Sequence, residues 1–181
     1  MPKVEPLSNV DAAWLGMEDP TNLMMVSGIV TFEKPIDYER LRLVLERRFL
    51  TFERFRQRVV QPKLPFGMPY WELDPNFHID NHLHRIALPS PGDKEALEEV
   101  VSDLMSTPLD FSKPLWHMHV IENYDGGSAV MTRLHHSIAD GMALVFVLLS
   151  MTDFTPDAPL PPEPDFSQDN DGPEGALGAL F

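Results

Sequence analysis

The chain has 181 residues, 43% of them apolar and 23% charged, with a formal charge of −14 and no cysteine. That length and apolar share suffice for one domain with its own core and exclude a chain disordered throughout. The acidic balance tells against nucleic acid, which needs a basic face. The missing thiols exclude disulfides and thiolate metal sites and agree with a reducing, cytoplasmic setting. Residues 1–9 lack the basic start and apolar stretch of a secretion signal, and no apolar run reaches the roughly 20 residues of a membrane span.

In chain order, residues 7–18 predict a short helix. Ser8 caps it, Asp11 stands three positions on, and Ala13, Trp14 and Met17 form its inner stripe. Residues 24–32, rich in Val, Ile, Thr and Met, predict a strand on which Val26, Gly28, Val30 and Phe32 share a face and Gly28 marks a bulge or a close approach. Residues 37–49 predict an amphipathic helix capped by Asp37, with Leu41, Val44, Leu45 and Phe49 inward. A strand over 56–61, a proline-bearing loop over 61–70 and a short strand over 70–73 follow, and then 77–88, which carries His78, His82 and His84 and fits no single period. Residues 93–105 predict a second amphipathic helix, with Leu97, Val100, Val101 and Leu104 inward and Pro108 as its stop.

Residues 115–121 alternate as a strand, with Trp116, Met118 and Val120 on one side and His117 and His119 on the other. Asp125-Gly126-Gly127 predicts a hairpin turn, so 128–134 is the returning antiparallel strand. Residues 142–151 read as a buried core helix. From residue 156 the chain holds six prolines, six acidic residues and no basic one, and reads as an acidic linker over 156–181 after a folded body over 1–155. The order of elements predicts an α+β fold, a mixed or antiparallel sheet with helices packed on it.

The returning strand delivers Leu134-His135-His136-Ser137-Ile138-Ala139-Asp140-Gly141, whose core is His-His-x-x-x-Asp-Gly. Four such fixed positions match by accident in roughly one chain in a few thousand of this length. An imidazole titrates near neutrality, so it can take a proton from an alcohol. Neighbouring strand residues point to opposite faces, so His135 and His136 cannot both line one pocket, and one serves as base while the other serves the structure. Asp140 lies four residues later, across a turn, and in a triad would orient the imidazole, as in serine hydrolases. Gly141 lets the backbone come close where the next helix starts. The competing readings are a capped strand-to-helix turn with two ordinary histidines, and a metal site. His135, His136 and Asp140 diverge too far to share an ion, and a group of His117, His119 and His135 on one hairpin face lacks a carboxylate set, so no metal is assigned.

The motif resembles the signature of the CoA-dependent acyltransferase superfamily. Three further stretches resemble one branch of it, the bacterial wax ester synthase/diacylglycerol acyltransferases: the opening Pro6-Leu7-Ser8-Asn9-Val10-Asp11-Ala12-Ala13-Trp14 with the strand entry Met24-Met25-Val26-Ser27-Gly28, then Phe52-Glu53-Arg54-Phe55-Arg56-Gln57-Arg58, and then the Pro114-Leu115-Trp116 segment. The resemblance covers residues 6 to about 150. It implies the N-terminal, chloramphenicol-acetyltransferase-like lobe of a two-lobed enzyme, with the acidic stretch leading toward an absent C-terminal lobe that is supplied by the same enzyme or as a separate chain. It further implies transfer of a long acyl group from acyl-CoA to a fatty alcohol or diacylglycerol without a cofactor, with His136 as general base and Asp140 paired with an arginine. By position that arginine is Arg56, with Arg58 behind it. Met25 lines the acceptor channel or fills the core, and Trp116 lines the channel or, as the large aromatic, packs the core. Peripheral contact with membranes or lipid inclusions is compatible with such substrates. An apolar inner face is expected on the half-molecule. Two other readings compete: a non-catalytic condensation-like lobe that binds lipid or a partner, and a condensation domain acting on carrier-protein thioesters. The opening and Pro-Leu-Trp segments disfavour the second.

Overall fold

In the computed structural model, which describes residues 4–62, 67–138, 141–155 and 158–166, the first half of the chain forms β1 (Val4–Pro6), α1 (Asn9–Met17), β2 (Met25–Phe32), α2 (Tyr38–Arg47), β3 (Gln57–Val60) and β4 (Tyr70–Leu73). The second half forms β5 (Leu83–Ala87), α3 (Lys94–Met105), β6 (Trp116–Tyr124), β7 (Gly127–His135) and α4 (Gly141–Ser150). Short 3₁₀ turns occupy Phe49–Thr51, Glu53–Arg56 and Ile79–Asn81.

Three helices begin where a side chain satisfies a free amide of the first turn. Ser8 Oγ accepts from the Asp11 N–H at 3.1 Å, Asp37 from Arg40 at 3.0 Å and Asp93 from Ala96 at 3.0 Å. The β6–β7 hairpin turns through Asp125 and Gly126, whose φ values of 47° and 76° are both positive. That is the geometry whose twist matches the flanking strands, and it explains the Asp-Gly pair.

The strands form two sheets. β2, β7, β6 and β5 lie side by side in that order, antiparallel except for β5, which runs parallel to β6; β1, β4 and β3 form a smaller antiparallel sheet. The mixed sheet and its helices agree with the expected α+β class.

Alternation along β6 sorts the sheet's two faces. Trp116, Met118 and Val120 enter the main core with Leu134, Leu45, Phe49, Phe55 and Trp71, while Ile121, Ala129 and Met131 pack with Leu97 of α3. Trp116 is fully buried, its Nε1–H donates to the Phe55 carbonyl at 2.8 Å, and Phe49 meets its ring edge-on at 4.8 Å. Trp116 thus packs in the main core, with its one polar atom satisfied by the Phe55 carbonyl.

Several expectations need correction. On α1 it is Leu15 that is buried, whereas Ala13 and Met17 are exposed. Gly28 sits in an unbroken register opposite Thr132, and a Cβ there would meet nothing within 4 Å, so it marks neither a bulge nor a close approach. β1 was not expected; three residues carry too little pattern to announce a strand. The ambiguous stretch over 77–88 resolves into a 3₁₀ turn and β5. The described part of the tail lies against α2: Arg40 donates to the Ala158 carbonyl at 2.7 Å and Arg47 to the Pro161 carbonyl at 3.0 Å.

The largest correction concerns α4, which is not a buried helix. Only Ala143 and Val147 are buried, while Met142, Val145, Phe146, Leu148 and Leu149 are exposed. Five large apolar side chains thus stand exposed on one helix, an apolar patch of the kind that favours association. Leu149→Glu is expected to leave stability within about 0.5 kcal/mol, as for other surface changes, while reducing self-association. Size-exclusion chromatography with light scattering reads the second effect and thermal melting the first.

Candidate active site

β7 carries the two histidines to one end of the sheet's strands. His135 is its last residue, opposite Met25 of β2, and His136 opens the turn that follows. The junction is clasped from both sides. The His135 N–H donates to the Leu115 carbonyl and the His136 N–H to the Met24 carbonyl, both at 2.9 Å, and the Ile138 N–H closes the turn on the His135 carbonyl at 3.0 Å.

The two rings have different surroundings. His135 is fully buried. The Ser137 backbone N–H donates to its Nδ1 at 3.1 Å, so Nδ1 is the acceptor and the proton sits on Nε2. Ser137 Oγ lies 2.7 Å from the same Nδ1, Nε2 faces Glu18 Oε2 at 3.5 Å, and Phe111 packs edge-on at 5.6 Å. Glu18 in turn accepts from the Met24 N–H. His136 is half-buried, and its ring stacks on Trp14 of α1 at 4.5 Å and 18°. Of the two rings, His136 is therefore the more open, and His135 is sealed behind it.

Burial, aided by the neighbouring His136, pushes the His135 pKa down to about 4. Below about pH 6.5 the unfolded chain then binds a proton that the folded chain refuses. The stability contribution is whole above about pH 6.5 and is lost as pH falls toward 4. The expected loss between pH 7 and 5 is about 1–2 kcal/mol. Thermal melts across that range should show it, and His135→Gln should flatten that part of the profile.

The remaining candidates separate. Asp140 lies outside the described residues, and so does its pairing with Arg56. Arg56 ends the Glu53–Arg56 turn, with its guanidinium 4.3 Å over the Phe166 ring. Arg58 is engaged with Glu72 at 3.1 and 2.7 Å. Gly141 opens α4 with room for a Cβ, so no close backbone approach among the described residues demands it. Met25 is half-buried beside the histidine strand, and its Sδ accepts from Arg133 at 3.5 Å. A recess of about 400 Å³ lies between α2 and the tail, lined by residues including Arg42, Arg47, Phe77, Glu163 and Phe166 and by none of the motif.

Sequence reasoning missed four supporting side chains. Glu18 and Trp14 on α1 flank the two imidazoles, and Ser137, although inside the motif, carried no assigned role. His82 is fully buried, its ring stacks on Trp116 at 4.6 Å, and its Nδ1–H donates to the Trp116 carbonyl at 2.8 Å; burial lowers its pKa. The signal for Trp14 was available, since its helix immediately precedes the strand that pairs with β7.

With this geometry in view, residues 7–176 match the family model described as the wax ester synthase/diacylglycerol acyltransferase catalytic domain. The chain is 36% identical over 151 residues to the probable diacylglycerol O-acyltransferase tgs1 of Mycobacterium tuberculosis, covering 81% of this chain and 33% of that protein. It is 34% identical over 164 residues to the probable diacylglycerol O-acyltransferase tgs3 of the same organism, covering 88% and 60%. Thus the chain spans about a third of the length of tgs1 and 60% of tgs3. Among solved structures it is similar to the wax ester synthase/diacylglycerol acyltransferase from Marinobacter aquaeolei VT8, with TM-score 0.72 and 29% identity over 90% of this chain and 41% of that one. The starter condensation domain of rhizomide synthetase RzmA shares the fold, with TM-score 0.66 and 14% identity over 82% of this chain and 38% of that one.

Proposed function

The chain belongs to the wax ester synthase/diacylglycerol acyltransferase catalytic-domain family, and from that premise we propose that it supplies the histidine-bearing half of an acyl-CoA-dependent O-acyltransferase. The acceptor is a long-chain alcohol or a diacylglycerol, and the product is a wax ester or a triacylglycerol. The observation that carries this reading is the unequal pair at the end of β7: one imidazole sealed and fixed in its tautomer, the next half-open against Trp14.

In the proposed reaction the neutral His136 imidazole accepts the proton of the acceptor hydroxyl. The alkoxide oxygen attacks the thioester carbonyl carbon, a tetrahedral oxyanion forms, and its collapse expels the CoA thiolate, which takes the proton back from the imidazolium. His135 positions rather than reacts. Its Ser137 bond and the two clasping backbone bonds fix the strand end, and with it the direction of the His136 ring. Asp140 is proposed to brace the same turn through Arg56.

The body over 1–155 is proposed as the N-terminal lobe and 156–181 as the start of the connection to a second lobe. The apolar face of α4 is the natural seat for that lobe, and the chain's share of its relatives' length supports the same division. No helix among the described residues is long and apolar enough to cross a membrane. Peripheral contact with membranes or lipid inclusions is proposed from the nature of the substrates.

The test is thiol release from palmitoyl-CoA by the chain together with its C-terminal counterpart, with hexadecanol or diacylglycerol offered. Acceptor-dependent release is expected. Release that ignores the acceptor, or none at all, would leave the lobe as a binding module.

A further inference from the structure

A second cluster of imidazoles lies on β5 and β6. His84 of β5 stands opposite His119 of β6 in the parallel register, and His117 lies two residues before His119 on the same face. One ring nitrogen from each of the three lies within 4.8 Å of those of the other two. The ring centroids are 5.0 Å apart for His84 and His117, 5.1 Å for His84 and His119, and 6.0 Å for His117 and His119.

Packing alone accounts poorly for this convergence. His119 is 5% exposed, and its Nδ1 is sealed from solvent without a hydrogen-bond partner among the described residues. A buried ring nitrogen left unpaired is costly, and such groups call for an ion, a water or a ligand. His84 and His117 are only half-buried, so the cluster has an opening to solvent.

We propose that His84, His117 and His119 form a binding site for a single divalent transition metal of the zinc class, completed by one exogenous ligand. Three neutral imidazoles and an open fourth position suit Zn²⁺, with Zn–N distances of about 2.0–2.1 Å. Tetrahedral coordination at that length sets the nitrogens roughly 3.3 Å apart, so the rings close in by an ångström or so on binding. Arg133, opposite His117 on β7, bears on all three rings and opposes a bare dication. It therefore favours an anionic fourth ligand, a hydroxide or a carboxylate. The sequence alone assigned no metal and grouped His117 and His119 with His135. The fold replaces His135, whose Nδ1 is taken by Ser137, with His84, which only the parallel β5–β6 pairing brings in.

The test uses the untagged protein stripped with a chelator and titrated with Co²⁺, then with Zn²⁺. One Co²⁺ per chain with the intense visible absorption of tetrahedral coordination, displaced by Zn²⁺, is the expected result, together with a Zn²⁺-dependent rise in melting temperature. His84→Phe with His117→Phe should weaken Co²⁺ binding by more than the roughly 10–100-fold that follows loss of a ligand's supporting hydrogen bond. His78→Ala, outside the cluster, should leave it unchanged. Absence of the tetrahedral band in the wild-type protein overturns the proposal whatever the variants do, and so does a band that survives the double substitution. Neither readout depends on acyl transfer.

Discussion

His136→Ala in the assembled enzyme is expected to lower acyl transfer from palmitoyl-CoA by about 10²–10⁴-fold, the range attributed to a positioned general base, with the melting temperature nearly unchanged. The half-open position of the ring makes these two outcomes separable. Among the described residues its ring stacks on one aromatic, Trp14, and its own N–H donates to the Met24 carbonyl, a bond that alanine retains. A fall in kcat with KM preserved would match loss of an interaction made in the transition state. His136→Gln keeps much of the side chain's bulk but cannot serve as a base, and it should behave like the alanine variant. A residual rate within a few-fold of wild type for either substitution would contradict the assignment. Trp14→Ala offers a graded comparison: it removes the surface that the imidazole lies against, so it should reduce the rate by disordering the ring while leaving the base itself in place.

Trp116→Ala should be the most damaging single change to the fold. Large aromatic truncations in cores cost about 3–5 kcal/mol, and this one also strands the Phe55 carbonyl that Trp116 Nε1–H serves. The ring touches Phe49, Phe55 and His82, so its removal opens a cavity shared by α2's end, the Glu53–Arg56 turn and β5's approach. For a domain with an ordinary margin of 5–15 kcal/mol, the melting temperature should fall by roughly 10 °C or more. Trp116→Phe keeps most of the buried area, loses the hydrogen bond, and should cost about 1–2 kcal/mol. If the alanine variant melted within a degree or two of wild type while activity collapsed, Trp116 would belong to the substrate path instead.

What could be read from the sequence was mostly local. Ser8, Asp37 and Asp93 announce their helices because a cap acts within three residues. The Asp125-Gly126 turn fixes the hairpin because only a few residue types accept both positive φ values. The motif's place at a strand end followed from that hairpin, and the family resemblance from the motif and its three companion stretches. What escaped depends on contacts far apart in the chain. His84 meets His117 and His119 only through a parallel pairing, which leaves no turn signal in the sequence. Leu15 turns inward on α1 while Trp14 turns toward His136, a choice that helical period alone did not make. α4 read as core because its composition is apolar on every side, and composition does not say whether the covering surface belongs to the same lobe.

The grip of Arg40 and Arg47 on the tail has a consequence for how that segment can change. Both guanidinium groups hold main-chain oxygens, those of Ala158 and Pro161, and every amino acid carries such an oxygen. The path of the strap is thereby largely insulated from the identity of the residues that form it. At those two points a change of side chain, even of its charge, leaves the grip of α2 intact, whereas Phe166, which lies under the Arg56 guanidinium, is held through its ring and has no such latitude.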